Sequence, residues 1–156
     1  MIKGIWHTSF TVENIERTID FYENVLGLKL VNRQTQNNEY TRKLVAYEDA
    51  HLKVAMFDIA GLDTFPSGHV LEFVEYVKPE GEYVPKGTAH TRSAHVAFVV
   101  SDIHEIVERL KEKGVRFKSE VVSITEGINK GGYTVYFWDP DEITLELVQP
   151  PKERSI

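Results

Sequence analysis

The sequence predicts an α+β fold of two tandem β-α-β-β-β modules that form a curved mixed sheet. The first observation is an internal repeat, because residues 6–14 resemble residues 93–102 and each stretch leads into a helical pattern that a glycine closes. The second is that the strand-like residues 70–75 lie over residues 144–149. One module alone would leave one face of its sheet bare, so two modules are expected to close that face together.

Module one is predicted to span residues 1–77. Asn14 is expected to cap a helix that ends at Gly27, since helices favour Asn at the N-cap and glycine after the last turn. Residues 39–47 could form a strand or a short helical turn, and apolar spacings of four and three favour the turn. The other elements are strands at 5–12, 28–35, 52–59 and 69–77 and a surface loop at 61–68.

A linker is predicted at residues 78–92, where proline, glycine and charged residues replace the apolar pattern. Module two then spans residues 93–150. Asp102 has Glu105 three residues further on, a capping-box spacing that predicts a helix start. Strands are expected at 95–100, 115–124, 133–138 and 143–148.

Composition and charge exclude several classes of function. A chain of 156 residues with 42% hydrophobic and 27% charged residues can bury the core of one globular domain. It has no cysteine, so a bound metal would need nitrogen and oxygen ligands. The net charge of −6 and the scattered lysines argue against a nucleic-acid partner. Without a signal-peptide pattern or a membrane-length apolar run, we expect a cytoplasmic protein with no membrane association.

The residues most relevant to function recur at matching positions of the repeat. His7 lies over His95, and Glu72 lies over Glu146, so each module opens on a histidine and closes on a glutamate within apolar strands. A carboxylate buried among apolar neighbours needs a partner, because an unpaired buried charge is costly. The four side chains are therefore expected to converge on a common cationic partner.

These stretches resemble the vicinal oxygen chelate superfamily, which includes glyoxalase I, methylmalonyl-CoA epimerase, extradiol dioxygenases and bleomycin resistance proteins. The resemblance covers nearly the whole chain and implies a single glyoxalase-like domain over residues 1–156. It rests on residues 7–12, 21–28, 71–73, 93–98 and 139–147.

The resemblance implies a divalent metal ion bound by His7, Glu72, His95 and Glu146. This ligand set does not select among Ni, Co, Zn, Mn, Mg and Fe. Two remaining coordination positions would take vicinal oxygens of a small carbonyl substrate, and the ion would stabilise its enolate. The implied activity is that of a lyase or isomerase in which Glu72 or Glu146 is the catalytic base. Family members also imply a homodimer that covers exposed sheet edges.

Two features of the sequence bear on the reaction. Bacterial glyoxalase I has Arg and Asn four residues after its first two ligands, where they hold glutathione, whereas this chain has Thr11 and Tyr76. A substrate without glutathione is therefore expected. The alternatives are an extradiol-type ring-cleaving dioxygenase, with Glu72 kept away from Fe(II), and a non-catalytic protein that binds a small molecule or antibiotic.

Overall fold

The computed structural model describes residues 5–59, 70–83 and 88–152. It confirms the α+β class with two tandem β-α-β-β-β modules, and the chain divides into two compact units, residues 1–84 and 85–156. Unit one contains β1 (Thr8–Val12), α1 (Ile15–Asp20), a π-helical turn (Phe21–Val25), β2 (Lys29–Gln36), α2 (Glu39–Val45), β3 (His51–Asp58) and β4 (Leu71–Lys78). Unit two contains β5 (His95–Val99), α3 (Ile103–Glu112), β6 (Val122–Ser123), β7 (Tyr133–Trp138) and β8 (Thr144–Gln149).

Each unit has its own four-stranded mixed sheet. The strand orders are β1-β4-β3-β2 in unit one and β5-β8-β7-β6 in unit two. In both sheets the first and last strands pair in parallel, and the remaining neighbours are antiparallel. The helix α2 confirms the short helical turn predicted between β2 and β3. The loop predicted at 61–68 and residues 84–87 of the linker lie outside the described residues.

Alternation along the last strand of each sheet separates a core face from an opposite face. In unit one, Phe73 is fully buried and its ring lies 4.2 Å from that of Tyr22 in the π-helical turn. Leu145 and Leu147 are buried in the same way in unit two. The residues between these apolar positions, which include both strand glutamates, therefore lie on the face that the helix does not cover.

Both helices begin at side-chain caps that the sequence predicts. The Oδ1 atom of Asn14 accepts hydrogen bonds from two backbone amides of the first turn of α1, at 3.0 and 3.1 Å. Asp102 does the same for α3, also at 3.0 and 3.1 Å. Two of the backbone donors that an isolated helix leaves unpaired are satisfied in each module.

A third amide of each helix start is bound by the last strand. The Ile15 amide donates to Oε2 of Glu75 at 2.8 Å, and the Ile103 amide donates to Oε1 of Gln149 at 2.8 Å. Glu75 and Gln149 occupy the same repeat position. Glu75 also accepts a hydrogen bond from Nζ of Lys53 at 2.8 Å. One hydrogen bond thus joins α1 to β4, and one joins α3 to β8. In unit one the ion pair between Lys53 and Glu75 also joins β3 to β4.

The two helices differ in length by one residue, and the difference is absorbed locally. Gly27 lies twelve positions after Ile15, whereas Gly114 lies eleven positions after the repeat-equivalent Ile103. In the longer copy the amide of Leu26 donates to the carbonyl of Phe21, five residues earlier, at 3.0 Å. This is the hydrogen-bond pattern of a π-turn, the usual way in which a helix accommodates one extra residue.

The prediction of a strand over residues 115–124 is wrong for most of that range. Only Val122–Ser123 forms a strand, and Phe117 makes an isolated bridge to Phe137. Between them the hydroxyl of Ser119 donates to the carbonyl of Glu120 at 2.9 Å. Such a local side-chain to backbone bond competes with the hydrogen bonds of a sheet, so the chain leaves β7 here.

Across the described parts of the chain, α1, α2 and α3 are too short or too polar to cross a lipid bilayer.

Burial raises the pKa of Glu75, but four other effects outweigh it. The hydrogen bonds from Lys53 and from the Ile15 amide lower this pKa, as do the positive charge of Lys53 and, least of all, that of His51. The net result is a pKa below the ordinary value of a glutamate carboxyl group. A carboxylate whose pKa is lower in the folded chain stabilises it above the unfolded-state pKa, and this stabilisation is lost as the pH falls through the folded-state pKa.

Replacing Glu75 by Gln should lower the free energy of unfolding by about 0.5–1.5 kcal/mol at neutral pH. The amide can still accept the helix hydrogen bond, as Gln149 does, but the ion pair with Lys53 is lost. Urea unfolding over a pH series should show the difference shrinking as the pH falls through the lowered pKa of Glu75. The exposed Glu112→Gln variant is the control and should match the wild type at each pH. A Glu75→Gln effect that is constant throughout the acid range would contradict the assignment.

Candidate functional site

The first candidate pair lies where β1 begins beside β4. Ser9 is the Cα partner of Glu72 in the parallel ladder, so His7, two residues earlier, lies on the same face as Glu72. Nε2 of His7 lies 3.5 Å from Oε1 of Glu72, and the Glu72 side chain is 19% exposed. The Nδ1 atom of His7 is buried without a hydrogen-bond partner among the described residues. The nitrogen of this ring that has a polar neighbour is therefore Nε2.

Unit two repeats this arrangement in β5 and β8. Ala97 is the Cα partner of Glu146, and His95 lies two residues before Ala97 on the same face. Nε2 of His95 lies 3.2 Å from Oε2 of Glu146, whose side chain is 15% exposed. The sequence repeat is therefore also a repeat in geometry, with an imidazole nitrogen beside a carboxylate oxygen in each unit.

The separations within the two pairs fit ligands of a metal ion. A charge-assisted hydrogen bond between nitrogen and oxygen is normally about 2.7–2.9 Å long. Two ligand atoms that bind one cation at about 2.0–2.2 Å lie about 3.0 Å apart when the ligand–metal–ligand angle is a right angle. They lie about 3.4 Å apart when that angle is tetrahedral. The observed 3.5 and 3.2 Å are longer than the hydrogen bond and close to the separation of two ligands. Imidazole and carboxylate are also the donor types that divalent transition metals accept.

The structure brings the four predicted ligands together as two pairs. Within residues 5–59, 70–83 and 88–152, no group of three or more His, Asp or Glu side chains has the geometry to hold a metal ion. Each unit by itself therefore supplies two donors, His7 with Glu72 and His95 with Glu146.

Sequence reasoning missed a hydroxyl that binds one of these carboxylates. Oγ1 of Thr134 in β7 donates to Oε1 of Glu146 at 2.5 Å and lies 3.0 Å from the Leu147 carbonyl oxygen. Thr134 is the Cα partner of Val148, so its side chain shares the face of Glu146. A threonine in a strand is ordinary in a sequence, and only the register of β7 against β8 reveals its partner.

Aromatic and basic side chains complete the surroundings of the second pair. The ring of Tyr136 meets that of His95 edge-on at 5.2 Å, and Tyr136 is the Cα partner of Glu146. Burial raises the pKa of Tyr136, and the negative charge of Glu146 raises it further, so the phenol is neutral at physiological pH. Nζ of Lys118 lies 5.8 Å from the centre of the Tyr136 ring and donates to the Thr88 hydroxyl at 2.8 Å.

Thr11 and Tyr76, the two positions that bear on glutathione, lie on the same face of the unit-one sheet as Glu72. Thr11 is the Cα partner of Val74, which lies two residues after Glu72, and Tyr76 lies two residues further along β4. The Tyr76 ring packs edge-on against that of Tyr47 at 6.2 Å. An aromatic pair therefore occupies the place where the family resemblance would put an asparagine amide.

Proteins similar to this chain share one fold and several activities. A lactoylglutathione lyase of Neisseria meningitidis is 30% identical over 146 residues, which cover 92% of this chain and 88% of that protein. A 2-epi-5-epi-valiolone epimerase of an Actinomyces species is 27% identical over 152 residues, which cover 95% of this chain and 80% of the epimerase.

Solved structures of glyoxalase family and fosfomycin resistance proteins share the fold of this chain. A glyoxalase family protein from Bacillus cereus superposes with a TM-score of 0.80 at 21% identity, covering 97% of this chain and 96% of that one. A fosfomycin resistance protein from Listeria monocytogenes, solved with Mn(II) and sulfate, superposes with a TM-score of 0.62 at 22% identity, covering 98% and 97%.

A family profile matches almost the entire chain, over residues 4–147, and its boundaries include both His–Glu pairs. The profile describes the Glyoxalase/Bleomycin resistance protein/Dioxygenase superfamily. This chain therefore belongs to the glyoxalase, bleomycin resistance and dioxygenase superfamily, also called the vicinal oxygen chelate superfamily.

Proposed function

We propose that the protein is a divalent-metal-dependent lyase or isomerase that acts on a small carbonyl substrate chelated through two neighbouring oxygens. The observation that carries the proposal is the repeated pair, with histidine Nε2 at 3.5 and 3.2 Å from a glutamate oxygen. We propose that both pairs bind one cation, through two imidazole nitrogens and two carboxylates. The Mn(II) in the fosfomycin resistance protein supports a divalent ion in this fold.

The names of the relatives support proton transfer as the reaction class. An epimerase and several lactoylglutathione lyases are similar to this chain over more than nine-tenths of its length. An epimerase inverts the configuration at a carbon atom, and removal and return of a proton next to a carbonyl group achieves this inversion. When bound, a divalent cation supplies Lewis-acid stabilisation of negative charge on the carbonyl oxygen.

The protein's own residues would do the remaining work. His7 and His95 would hold the cation through Nε2 as neutral imidazoles. Glu72 and Glu146 would complete the ligand set, and one of them would take the proton from the carbon next to the carbonyl group. Tyr136 would limit water access beside His95, since its ring covers one edge of that imidazole at 5.2 Å.

We propose further that the substrate carries no glutathione. The relevant positions hold a threonine and a tyrosine, and the Tyr76 ring is engaged with Tyr47 at 6.2 Å. A tyrosine pair offers apolar and edge contacts in place of the guanidinium and amide hydrogen bonds that would hold a peptide-like cofactor. A small oxo-acid or a thioester would fit this requirement.

Metal binding is the first test. Purified wild-type protein should bind about one divalent cation per chain, measured by elemental analysis and by titration with Mn(II). Glu146→Gln and His95→Ala should each weaken Mn(II) binding by more than about 100-fold, because even residues that only orient a ligand contribute about 10–100-fold. His104→Ala is the matched control, since this exposed histidine of α3 packs on Tyr133, which lies on the helix-covered face of its sheet and not on the face of Glu146. Unchanged Mn(II) affinity in both ligand variants would overturn the metal proposal.

Solvent-proton exchange is the second test. With Mn(II), Ni(II) or Zn(II) bound, the protein should catalyse incorporation of solvent deuterium next to the carbonyl group of an oxo-acid or acyl thioester, followed by NMR. Removal of the metal with a chelator should abolish the exchange, because the charge on the carbonyl oxygen is then no longer stabilised. Strong activity on a glutathione hemithioacetal would refute the glutathione-free substrate. Ring cleavage of a catechol with Fe(II) would replace the proposed reaction class by that of a dioxygenase, and ligand binding without turnover of any substrate would indicate a binding protein.

The assembly proposed is a homodimer, because each sheet ends in strands that pair on one side only among the described residues. β1 and β5 are edge strands in their sheets, and Val99 in β5 is 56% exposed. Exposed edges with apolar side chains favour pairing with another strand. Sedimentation equilibrium at micromolar concentration should give twice the 17.9 kDa chain mass, and a single species of that chain mass would contradict the proposal.

A further inference from the structure

The two carboxylates of the repeat differ in how they are held. Oε1 of Glu146 accepts a hydrogen bond from the Thr134 hydroxyl at 2.5 Å, while its Oε2 lies 3.2 Å from His95. Among the described residues, Glu72 makes one polar side-chain contact, with His7 at 3.5 Å. In the parts of the chain that the structure describes, no hydroxyl, amide or cationic group donates a hydrogen bond to Glu72. Similar burial of the two side chains, 19% and 15% exposed, means that exposure does not explain the difference.

A single position in the neighbouring strand accounts for this asymmetry. Thr134 is the Cα partner of Val148, two residues after Glu146. In unit one the same place in the ladder, opposite Val74 and two residues after Glu72, is taken by Val54. Threonine and valine have nearly the same shape, but valine replaces the hydroxyl by a methyl group and cannot donate a hydrogen bond.

The residues directly opposite the glutamates extend the difference. Glu146 faces Tyr136, whose ring also packs on His95, whereas Glu72 faces Met56. A thioether offers no donor and is flexible. The pair in unit two is therefore held by a hydroxyl and an aromatic ring, and among the described residues neither kind of contact is made to the pair in unit one.

A charge-assisted hydrogen bond from a hydroxyl to a carboxylate is strong and directional, so it restricts the carboxylate to one rotamer. Outer groups of this kind orient metal ligands and commonly contribute about 10–100-fold to metal affinity. A carboxylate without such a bond can change rotamer at lower cost. Proton abstraction requires that movement, because the base must reach the carbon from which the proton is taken.

We propose that Thr134 is a positioning residue that makes Glu146 the fixed carboxylate of the site, and that Glu72 is the mobile carboxylate that takes the substrate proton. The inference rests on the proposed function and specifies which glutamate does what. The C–H bond next to the carbonyl breaks, the proton passes to an Oε atom of Glu72, and the bonding electron pair moves toward the carbonyl oxygen. Return of the proton from Glu72 regenerates the carboxylate.

The first experiment tests the hydrogen bond and needs no turnover. Thr134→Val should weaken Mn(II) binding by about 10–100-fold, whereas Thr134→Ser, which keeps the hydroxyl, should bind Mn(II) like the wild type. Thr144→Val is the matched control, because its hydroxyl lies on the same face but makes no hydrogen bond among the described residues. In metal-free crystals Glu146 should occupy one rotamer in the wild type and several in Thr134→Val. An ordered Glu146 together with unchanged Mn(II) affinity in Thr134→Val would overturn the positioning role.

The second experiment tests the division of labour between the glutamates. At saturating Mn(II), Glu72→Gln should lose solvent-proton exchange by at least about 100-fold, whereas Glu146→Gln should lose mainly Mn(II) affinity and retain exchange once the metal is bound. Val54→Thr should supply Glu72 with the missing hydroxyl and slow exchange while Mn(II) binding persists. Exchange that survives in Glu72→Gln and fails in Glu146→Gln at saturating Mn(II) would overturn the assignment. A wild type that binds Mn(II) but catalyses no exchange would instead refute the proposed reaction, and the rotamers of Glu146 would still decide the role of Thr134.

Discussion

Parallel pairing between the first and last strands of each module determines where the histidine meets the glutamate. In a parallel ladder, Cα partners point to the same face, so Ser9 beside Glu72 and Ala97 beside Glu146 determine the face on which the histidine two residues earlier lies. The core residues on the other face hold this register, because a slip by one residue would expose Phe73 and bury the glutamate against the helix. The chemistry of the site thus depends on the apolar packing behind it.

Much of this arrangement was predictable because the chain repeats itself. A histidine or a strand glutamate alone indicates little, but the same residue at the same place in two modules excludes coincidence as the simplest explanation. In the structure, period-two alternation places each histidine and glutamate on the face away from the helix. The helix caps at Asn14 and Asp102 follow local rules that act within a few residues, and the structure confirms them.

The features that escaped prediction depend on contacts across strands or on local competition. Thr134 gains its role from a register between β7 and β8 that no local pattern encodes. The segment at 115–124 has strand-like composition, but a serine hydroxyl binds the neighbouring carbonyl oxygen and interrupts the ladder. The hydrogen bond that distinguishes Glu146 from Glu72 likewise comes from the neighbouring strand, where Thr134 takes the place that Val54 has in unit one.

The π-turn in the first helix has a consequence for how the module tolerates changes in length. An additional residue between the cap and the closing glycine is taken up by one widened turn, on an element that carries neither member of the His–Glu pair. The same addition between His7 and Ser9, or within β4, would turn every later side chain to the opposite face and separate the imidazole from its carboxylate. The helix therefore absorbs a change in chain length that the strands positioning the His–Glu pair could not.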